Sequence, residues 1–325
     1  MKLLVVGGAG YIGAHMVKML TIEGYQVVTL DNLSTGYRDA VKYGEFILGD
    51  ISDTSVLDKL FSTYDFGCVF HFASYIEVAE SVADPSKYYL NNLANTLILL
   101  DAMVRHNVKR FIFSSTAAIF GEPEYCPIDE KHPKSPVNPY GRCKLMVEQA
   151  LLDYEKAYDL ESVCLRYFNA AGADPDTELG ERHHPETHLI PLILQAASGR
   201  RDNISIFGND YPTIDGSCVR DYIHVVDLCS AHLLALHKLV NGSGSKRYNL
   251  GNGSGFSVSE VIEAVKQVTG KQFEIIQAPR RTGDPASLVA NATLAQQELG
   301  WSPKYTDLHE IVRHAWDWEI KHFNH

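Results

Sequence analysis

None of the six cysteines (68, 126, 143, 164, 218 and 229) forms a Cys-x-x-Cys pair, and Cys68 and Cys164 sit inside apolar runs. This excludes the commonest thiolate metal and redox spacings and reads as thiols kept reduced. No run of 18 apolar residues occurs, and the first residues lead straight into a strand pattern. Neither a membrane span nor a signal peptide is therefore expected, and the expected compartment is the cytoplasm. Positive charge is scarce as well: 29 Lys and Arg face 40 Asp and Glu, a formal net charge of −11. That balance argues against a nucleic-acid or anionic-membrane partner. A phosphate-bearing ligand would have to be held by local devices. Repeats and low-complexity segments are absent too. What is there is 325 residues, 45% of them hydrophobic, enough for one large domain or two unequal ones.

Strand and helix patterns alternate through the first half. Lys2-Leu3-Leu4-Val5-Val6 is a continuous apolar run of the kind a buried parallel strand needs. It leads into Gly7-Gly8-Ala9-Gly10-Tyr11-Ile12-Gly13, an apolar helical stretch to Leu20, and a second strand over Gln26–Leu30 that ends at Asp31-Asn32. This predicts a βαβ unit with a glycine turn at its first junction. Gly7 and Gly10 allow a tight turn and close approach of a pyrophosphate to the helix N-terminus, and Gly13 lets helix and strand pack closely. Asp31 is placed to accept from both hydroxyls of an adenosine ribose and to repel a 2′-phosphate, which favours NAD over NADP.

Further strands are predicted at 46–51, 68–73, 110–113 and 162–167, with helices over 56–64, 88–107 and from Tyr140 onward. The expected fold class is α/β, a Rossmann-type doubly wound parallel sheet with a smaller α/β C-terminal substrate domain. Ligands would gather at the carboxyl ends of the strands, where Gly10, Asp31, Phe72, Thr116 and Asn169 fall, with Asp50 and Ile51 beside an adenine. His71 is read as a satisfied core histidine. The expected division is a dinucleotide domain at 1–169, to which 225–251 returns, and a substrate domain at 170–325.

The densest chemistry lies at Ser114-Ser115-Thr116 and Tyr140-Gly141-Arg142-Cys143-Lys144. Tyr140 and Lys144 are four apart and share one face of a helix that Pro139 would start. A tyrosine is a poor base at neutral pH because its pKa is about 10; ionising it at pH 7 takes about 4 kcal/mol. One cation roughly 5 Å away supplies about 3 kcal/mol at an effective dielectric near 20, so Lys144 plus one further positive charge would suffice.

After Asn169 the pattern changes to a Gly-, Pro-, Asp- and His-rich loop to His188. His183-His184 is read there as part of a solvated loop and not as a metal pair; no metal is expected. Helix 191–198, strands near 204–207, 219–223 and 247–251, and helix 225–239 follow. In an acidic chain Arg220 and Arg281 are candidate diphosphate clamps, with Asp284 on ribose hydroxyls.

The motifs Gly7-x-x-Gly10-x-x-Gly13, Asp50, Ser114-Ser115-Thr116, Tyr140-x-x-x-Lys144 and Phe207-Gly-Asn-Asp-Tyr-Pro-Thr resemble the extended short-chain dehydrogenase/reductases. Val219–Asp227 and Arg280-Arg-Thr-Gly-Asp284 narrow the resemblance to the UDP-glucose 4-epimerase family, across essentially the whole chain. The resemblance implies tightly held NAD, a UDP-sugar in the cleft, and interconversion of UDP-glucose and UDP-galactose through a transient 4-keto sugar, with UDP-N-acetylhexosamines as a possible extension. It makes Tyr140, Lys144 and Thr116 catalytic. Cofactor contacts carried over are Gly7, Gly10, Tyr11, Ile12, Gly13, Asp31, Asn32, Asp50, Ile51, Phe72, Ala73, Asn91, Tyr140, Lys144 and Tyr167. Substrate contacts are Thr116, Tyr140, Asn169, His188, Leu189, Ser205, Phe207, Arg220, Tyr222, Arg281, Asp284 and Leu288. A homodimer formed through the 88–107 and 140–158 helices is implied in the same way.

The chain departs from that pattern in places. Ile76 stands where some members have a cofactor-contacting lysine, Thr116 replaces a common serine, and His188 replaces an asparagine beside the phosphates. Leu288 is mid-sized where a bulky tyrosine would exclude an N-acetyl group. A 4,6-dehydratase would need an Asp-Glu pair where Ala117-Ala118 stand. A UDP-glucuronate decarboxylase would need an added positive site for the C6 carboxylate. A non-catalytic NAD-sensing regulator would keep the glycine loop without needing Tyr140, Lys144 or the second-domain clamp.

Overall fold

The period of two in β1 (Lys2–Val6) sets the frame of the molecule in this computed structural model, which describes residues 1–281 and 284–323. Leu3 and Val5 point into one core and Leu4 and Val6 into another, all at most 1% exposed. A strand apolar on both faces is stable only with helices on both sides, and that is what forms. On the first face lie α1 (Tyr11–Ile22) and α8 (Val225–Val240); on the second lie α2 (Thr54–Thr63), α5 (Asn95–Arg105) and α6 (Pro139–Tyr158). Each fully buried Leu or Val contributes roughly 1.5–3 kcal/mol.

Seven strands make one parallel sheet. β2 (Gln26–Asp31), β3 (Glu45–Leu48), β4 (Phe66–His71), β5 (Arg110–Ser114), β6 (Glu161–Tyr167) and β11 (Lys246–Leu250) join β1 in the order β11-β6-β5-β4-β1-β2-β3. Chain order reverses direction between β1 and β4, which opens a crevice at their carboxyl ends. The Rossmann-type doubly wound sheet expected from the alternation is the one observed. β11 pairs with β6 after the chain has already left the sheet, and Leu228, Cys229 and Leu236 of α8 share the core of Leu3 and Val5.

A separate core holds the remaining elements together. Ile190, Ile193 and Leu194 of α7 (Leu189–Ala197), Val261 and Val265 of α9 (Val258–Thr269), Ile204 and Ile206 of β8 (Asn203–Phe207) and Ile311 of α11 (Leu308–Phe323) meet there. β8 pairs with β13 (Glu274–Ala278), and β7 (Asn169–Ala171) with β10 (Tyr222–His224). A small sheet runs β12-β9-β14, from Phe256–Ser257, Val219–Arg220 and Ser287–Leu288.

Three elements differ from expectation. The single helix expected over 88–107 is interrupted: α3 (Val78–Ala83) and α4 (Pro85–Tyr88) lead through a π-helical turn at Tyr89–Ala94 into α5. The cause is Asn92, buried in that turn, whose amide accepts from Tyr75 N at 2.9 Å and donates to Tyr75 O at 2.8 Å. The strand expected over 219–223 is two short ones, because fully buried Asp221 turns its carboxylate to the backbone N–H groups of Asn252 and Ala290. The third strand ends at Leu48, short of Asp50.

Candidate active site

The glycine turn is shaped by backbone contact and closed by one carboxylate. Gly7 sits at φ +80°, and a Cβ there would lie 2.4 Å from Ala73 N; a Cβ on Gly13 would lie 2.1 Å from Gly7 O. Gly10 differs: the nearest atom its Cβ would meet is Gly7 O at 3.4 Å, and no side chain caps α1 where Gly10 begins it. Uncapped N–H groups behind an open glycine are a cradle for a diphosphate, so the residues present fit a dinucleotide. Asp31, 8% exposed, closes the turn by accepting Ala9 N at 2.9 Å and Leu33 N at 2.8 Å. Burial raises its pKa, and those two bonds offset part of the rise.

Around this cradle stand the other first-region candidates. Asn32 donates to Asp50 at 2.6 Å, and Asp50 also accepts Ser52 N at 2.8 Å; despite partial burial these bonds leave its carboxyl below the usual range. Ile51 is buried beside them. Phe72 and Ala73 follow β4, both hydrogen-bonded to Val6 O, and the Phe72 ring lies 5.0 Å from His232. Tyr11 donates to Gly172 O at 2.7 Å, Ile12 packs on the core behind α1, and Asn91 donates to Asn92 at 2.9 Å.

The helix carrying Tyr140 is started by two devices. Asn138 accepts Gly141 N at 2.8 Å and Pro139 takes the first turn. Lys144, 3% exposed, donates to Ser114 O at 2.8 Å and lies 4.9 Å over the Phe113 ring and 6.0 Å from the Tyr140 ring centre. Burial pulls its pKa down to about 7. Tyr140 is half-buried with the Thr116 hydroxyl beside its phenol; burial raises the phenol pKa and Thr116 offsets part of that. The protein alone therefore does not hold Tyr140 anionic. The burial that suppresses phenolate also suppresses the lysine's charge, so the second positive charge anticipated from sequence becomes a requirement. Thr116 accepts Ala118 N at 3.1 Å, and the Tyr167 and Ser114 hydroxyls share a short hydrogen bond.

Across the crevice, Asn169 donates to Asp221 O at 2.9 Å. Ser205 and Phe207 alternate with core residues Ile204 and Ile206, so both face out of β8. Arg281 stacks its guanidinium 3.8 Å over the Phe207 ring. Arg220 does not stand as an open clamp: it pairs with Asp284 through a short ion pair and donates to Val219 O at 2.8 Å. Thr282 and Gly283 of the Arg280–Asp284 motif lie outside the described residues. Leu288 runs alongside Arg220 in register and packs on Ile119, Phe120 and Ile128. Tyr222 is buried in the core of α7 and α9, which raises its pKa, and its 4% exposure leaves little surface for a ligand.

The solvated-loop reading of 183–184 needs correction. His184 is exposed, but His183 and His188 fold inward and meet Glu181 and Glu186. His188, just before Leu189 at the start of α7, lies 2.8 Å from Glu186 and 3.0 Å from Glu181. Those carboxylates raise its pKa well above the usual value in spite of burial.

Residues 3–251 match the model of the NAD dependent epimerase/dehydratase family. The chain belongs to that family. It is 52% identical over 322 residues to the UDP-glucose 4-epimerase of Halalkalibacterium halodurans, covering 99% of this chain and 96% of that protein. Among solved structures, UDP-glucose 4-epimerase from Brucella ovis in complex with NAD superposes with TM-score 0.96 at 48% identity, covering 97% of each chain. That from Bifidobacterium longum in complex with NAD+ and UDP superposes with TM-score 0.94 at 38% identity, covering 100% of this chain and 99% of the other.

Behind the crevice of this epimerase-family chain lies an ion pair that sequence reasoning missed. Glu148 and Arg166, both at most 4% exposed in their side chains, are joined at 2.9 and 2.6 Å, and Ser115 donates to Glu148 at 2.6 Å. This ties α6 to β6 and to the strand end before Thr116. The signal available was a Glu one turn beyond Lys144 on the same helix face.

Proposed function

We propose that the protein interconverts UDP-glucose and UDP-galactose through a transient 4-keto sugar, with NAD in the first-region crevice and the UDP-sugar between that crevice and the 169–288 residues. The observation that carries the reading is the meeting of Thr116, Tyr140 and Lys144 beside the glycine cradle. What no side chain here can supply, a reversible hydride acceptor, is the part NAD plays when bound.

Each residue then has a task. Gly7, Gly10, Gly13 and the backbone of Tyr11 and Ile12 receive the diphosphate of NAD. Asp31 takes ribose hydroxyls with its remaining lone pairs, Asn32, Asp50 and Ile51 border the adenine, and Phe72, Ala73, Asn91 and Tyr167 line the path to the nicotinamide. Tyr140 takes the proton from the sugar 4-hydroxyl and returns it, while Thr116 holds the 4-oxygen. Lys144, anchored to Ser114 O, has N–H donors left for the nicotinamide ribose. The ketone turns over between abstraction and return, so the second region must grip UDP and leave the hexose loose. Asn169, Leu189, Ser205, Phe207, Arg281 and the Arg220–Asp284 pair provide that grip, and Leu288 borders the sugar at C2; Tyr222, buried behind them, and His188, engaged by Glu181 and Glu186, are set aside.

We propose two domains, 1–169 with 225–251 and the remainder, in a cytoplasmic homodimer. Among the described residues no helix is long and apolar enough to cross a membrane. Leu90, Met146 and Leu152, more than 40% exposed beside and on α6, support the dimer face. Purified protein mixed with UDP-galactose should form UDP-glucose, and Tyr140→Phe should lower turnover by about 10²–10⁴-fold while NAD stays bound. Near-normal turnover in that variant would remove Tyr140 from the reaction.

A further inference from the structure

The four side chains Glu181, His183, Glu186 and His188 meet at one point, from a segment of eight residues that is neither helix nor strand. Each presents one donor atom, and the four atoms lie within 4.8 Å of one another. Where distances are short they are 2.8, 3.0 and 3.3 Å, close to the roughly 3.3 Å edge of a tetrahedron of nitrogen and oxygen ligands about 2.0 Å from a central ion. The two carboxylates are 6 and 7% exposed in their side chains, so they are not a solvated acidic fringe.

Two details point to a missing ligand. His183 Nδ1 is buried without a hydrogen bond of good geometry, although a Glu181 oxygen stands 3.3 Å away. A buried donor atom left in that state costs about 1–3 kcal/mol unless something completes it. Glu186 is also held in place: its Oε1 accepts Thr187 N at 2.8 Å and His188 N at 2.9 Å and lies 2.8 Å from His188 Nδ1, which orients the carboxylate before any ion arrives. Thr187 is held in turn by Glu77 at 2.8 Å. The loop's other end is tied down by Trp318, which donates to Glu181 O at 3.3 Å.

We propose that Glu181, His183, Glu186 and His188 form a structural site for one divalent transition-metal cation, of which Zn²⁺ suits the donors best. Two imidazoles and two carboxylates are a borderline-soft set; an all-oxygen hard cation such as Mg²⁺ would prefer six oxygens and retained water. Two neutral imidazoles and two carboxylates around a divalent ion leave no net charge in the loop. The ion's work is to lock 181–188 in the shape that starts α7. It takes no part in the hydride or proton steps, so the inference stands apart from the proposed reaction.

The test uses untagged full-length protein, stripped with chelator and equilibrated with Zn²⁺ or Mg²⁺ alone. We expect one tightly bound zinc per chain by elemental analysis after desalting, a higher melting temperature with zinc and no response to magnesium. His183→Gln should weaken zinc binding at least tenfold. Zinc bound equally by wild type and His183→Gln, or less than about a tenth of an equivalent in wild type, overturns the proposal. Cobalt substitution of the unaltered protein reads the site without a variant: intense visible bands from a four-coordinate ion are expected, and weak six-coordinate bands contradict it.

Discussion

The glycine turn at 7–13 and the Arg220–Asp284 pair both prepare an acidic protein for a phosphate-bearing ligand, by opposite means. In the turn the geometry is made of backbone packed on backbone, with no room for a Cβ at Gly7 or Gly13. Across the crevice the groups are long side chains that, in the protein alone, satisfy one another. A ligand there must share or displace an existing ion pair, so part of its binding energy goes into rearrangement. The first region is set by sterics and should fail abruptly when altered. The second is set by electrostatics and should fail by degrees.

The largest effect is expected from Gly13→Ala, on the first side. Its methyl would meet a carbonyl oxygen that cannot move without opening the turn, and overpacking of that kind costs about 1–3 kcal/mol or more. We expect NAD affinity to fall at least about tenfold with a lowered melting temperature; titration with NAD checks it, and unaltered affinity would mean the turn is not the dinucleotide seat.

Lys144→Met sharpens the same side by separating stability from chemistry. With a folded pKa of about 7 and an unfolded one near 10.4, the unfolded chain holds the extra proton between those values. Stability therefore rises with pH from about 7 upward, and the burial penalty is complete below 7. The variant should be more stable than wild type at pH 6, on the order of a few kcal/mol, with the gap closing toward pH 10. Its turnover should collapse. Denaturant melts at both pH values decide it, and a variant less stable at pH 6 contradicts the assignment.

The smallest effect is expected across the crevice. Asp284→Ala should weaken UDP-sugar binding by roughly tenfold, the loss of a partly exposed charged hydrogen bond of about 1.5 kcal/mol, and leave NAD affinity alone. Calorimetry with each ligand measures both; an unchanged UDP-sugar affinity would mean the ribose contact is misassigned.

How much of this was legible in the sequence follows the same division. The first-region motifs are local: Gly7 to Gly13 and Tyr140 to Lys144 lie within one turn or one helix face, so spacing alone brings them together. The parallel sheet followed from apolar runs separated by helix-length intervals. What spacing could not show was partnership between distant residues. Arg220 reads as an open clamp until Asp284, 64 positions later, is found on it. The break at Tyr89–Ala94 was hidden because Asn92 acts through Tyr75, outside the helix. Glu181-x-His183-x-x-Glu186-x-His188 fits neither the 3.6 nor the 2.0 period, so its convergence in an irregular loop left no pattern to read.

In the proposed reaction a hydrogen leaves the sugar's C4 as hydride and the same hydrogen returns to the other face, with Tyr140 handling only the hydroxyl proton. Turnover of UDP-galactose in D₂O, followed by mass and proton spectra of the UDP-glucose formed, tests this most directly. The account predicts product with no deuterium on C4. Deuterium there would mean that C4 exchanges its hydrogen with solvent, which a hydride held within the crevice does not allow.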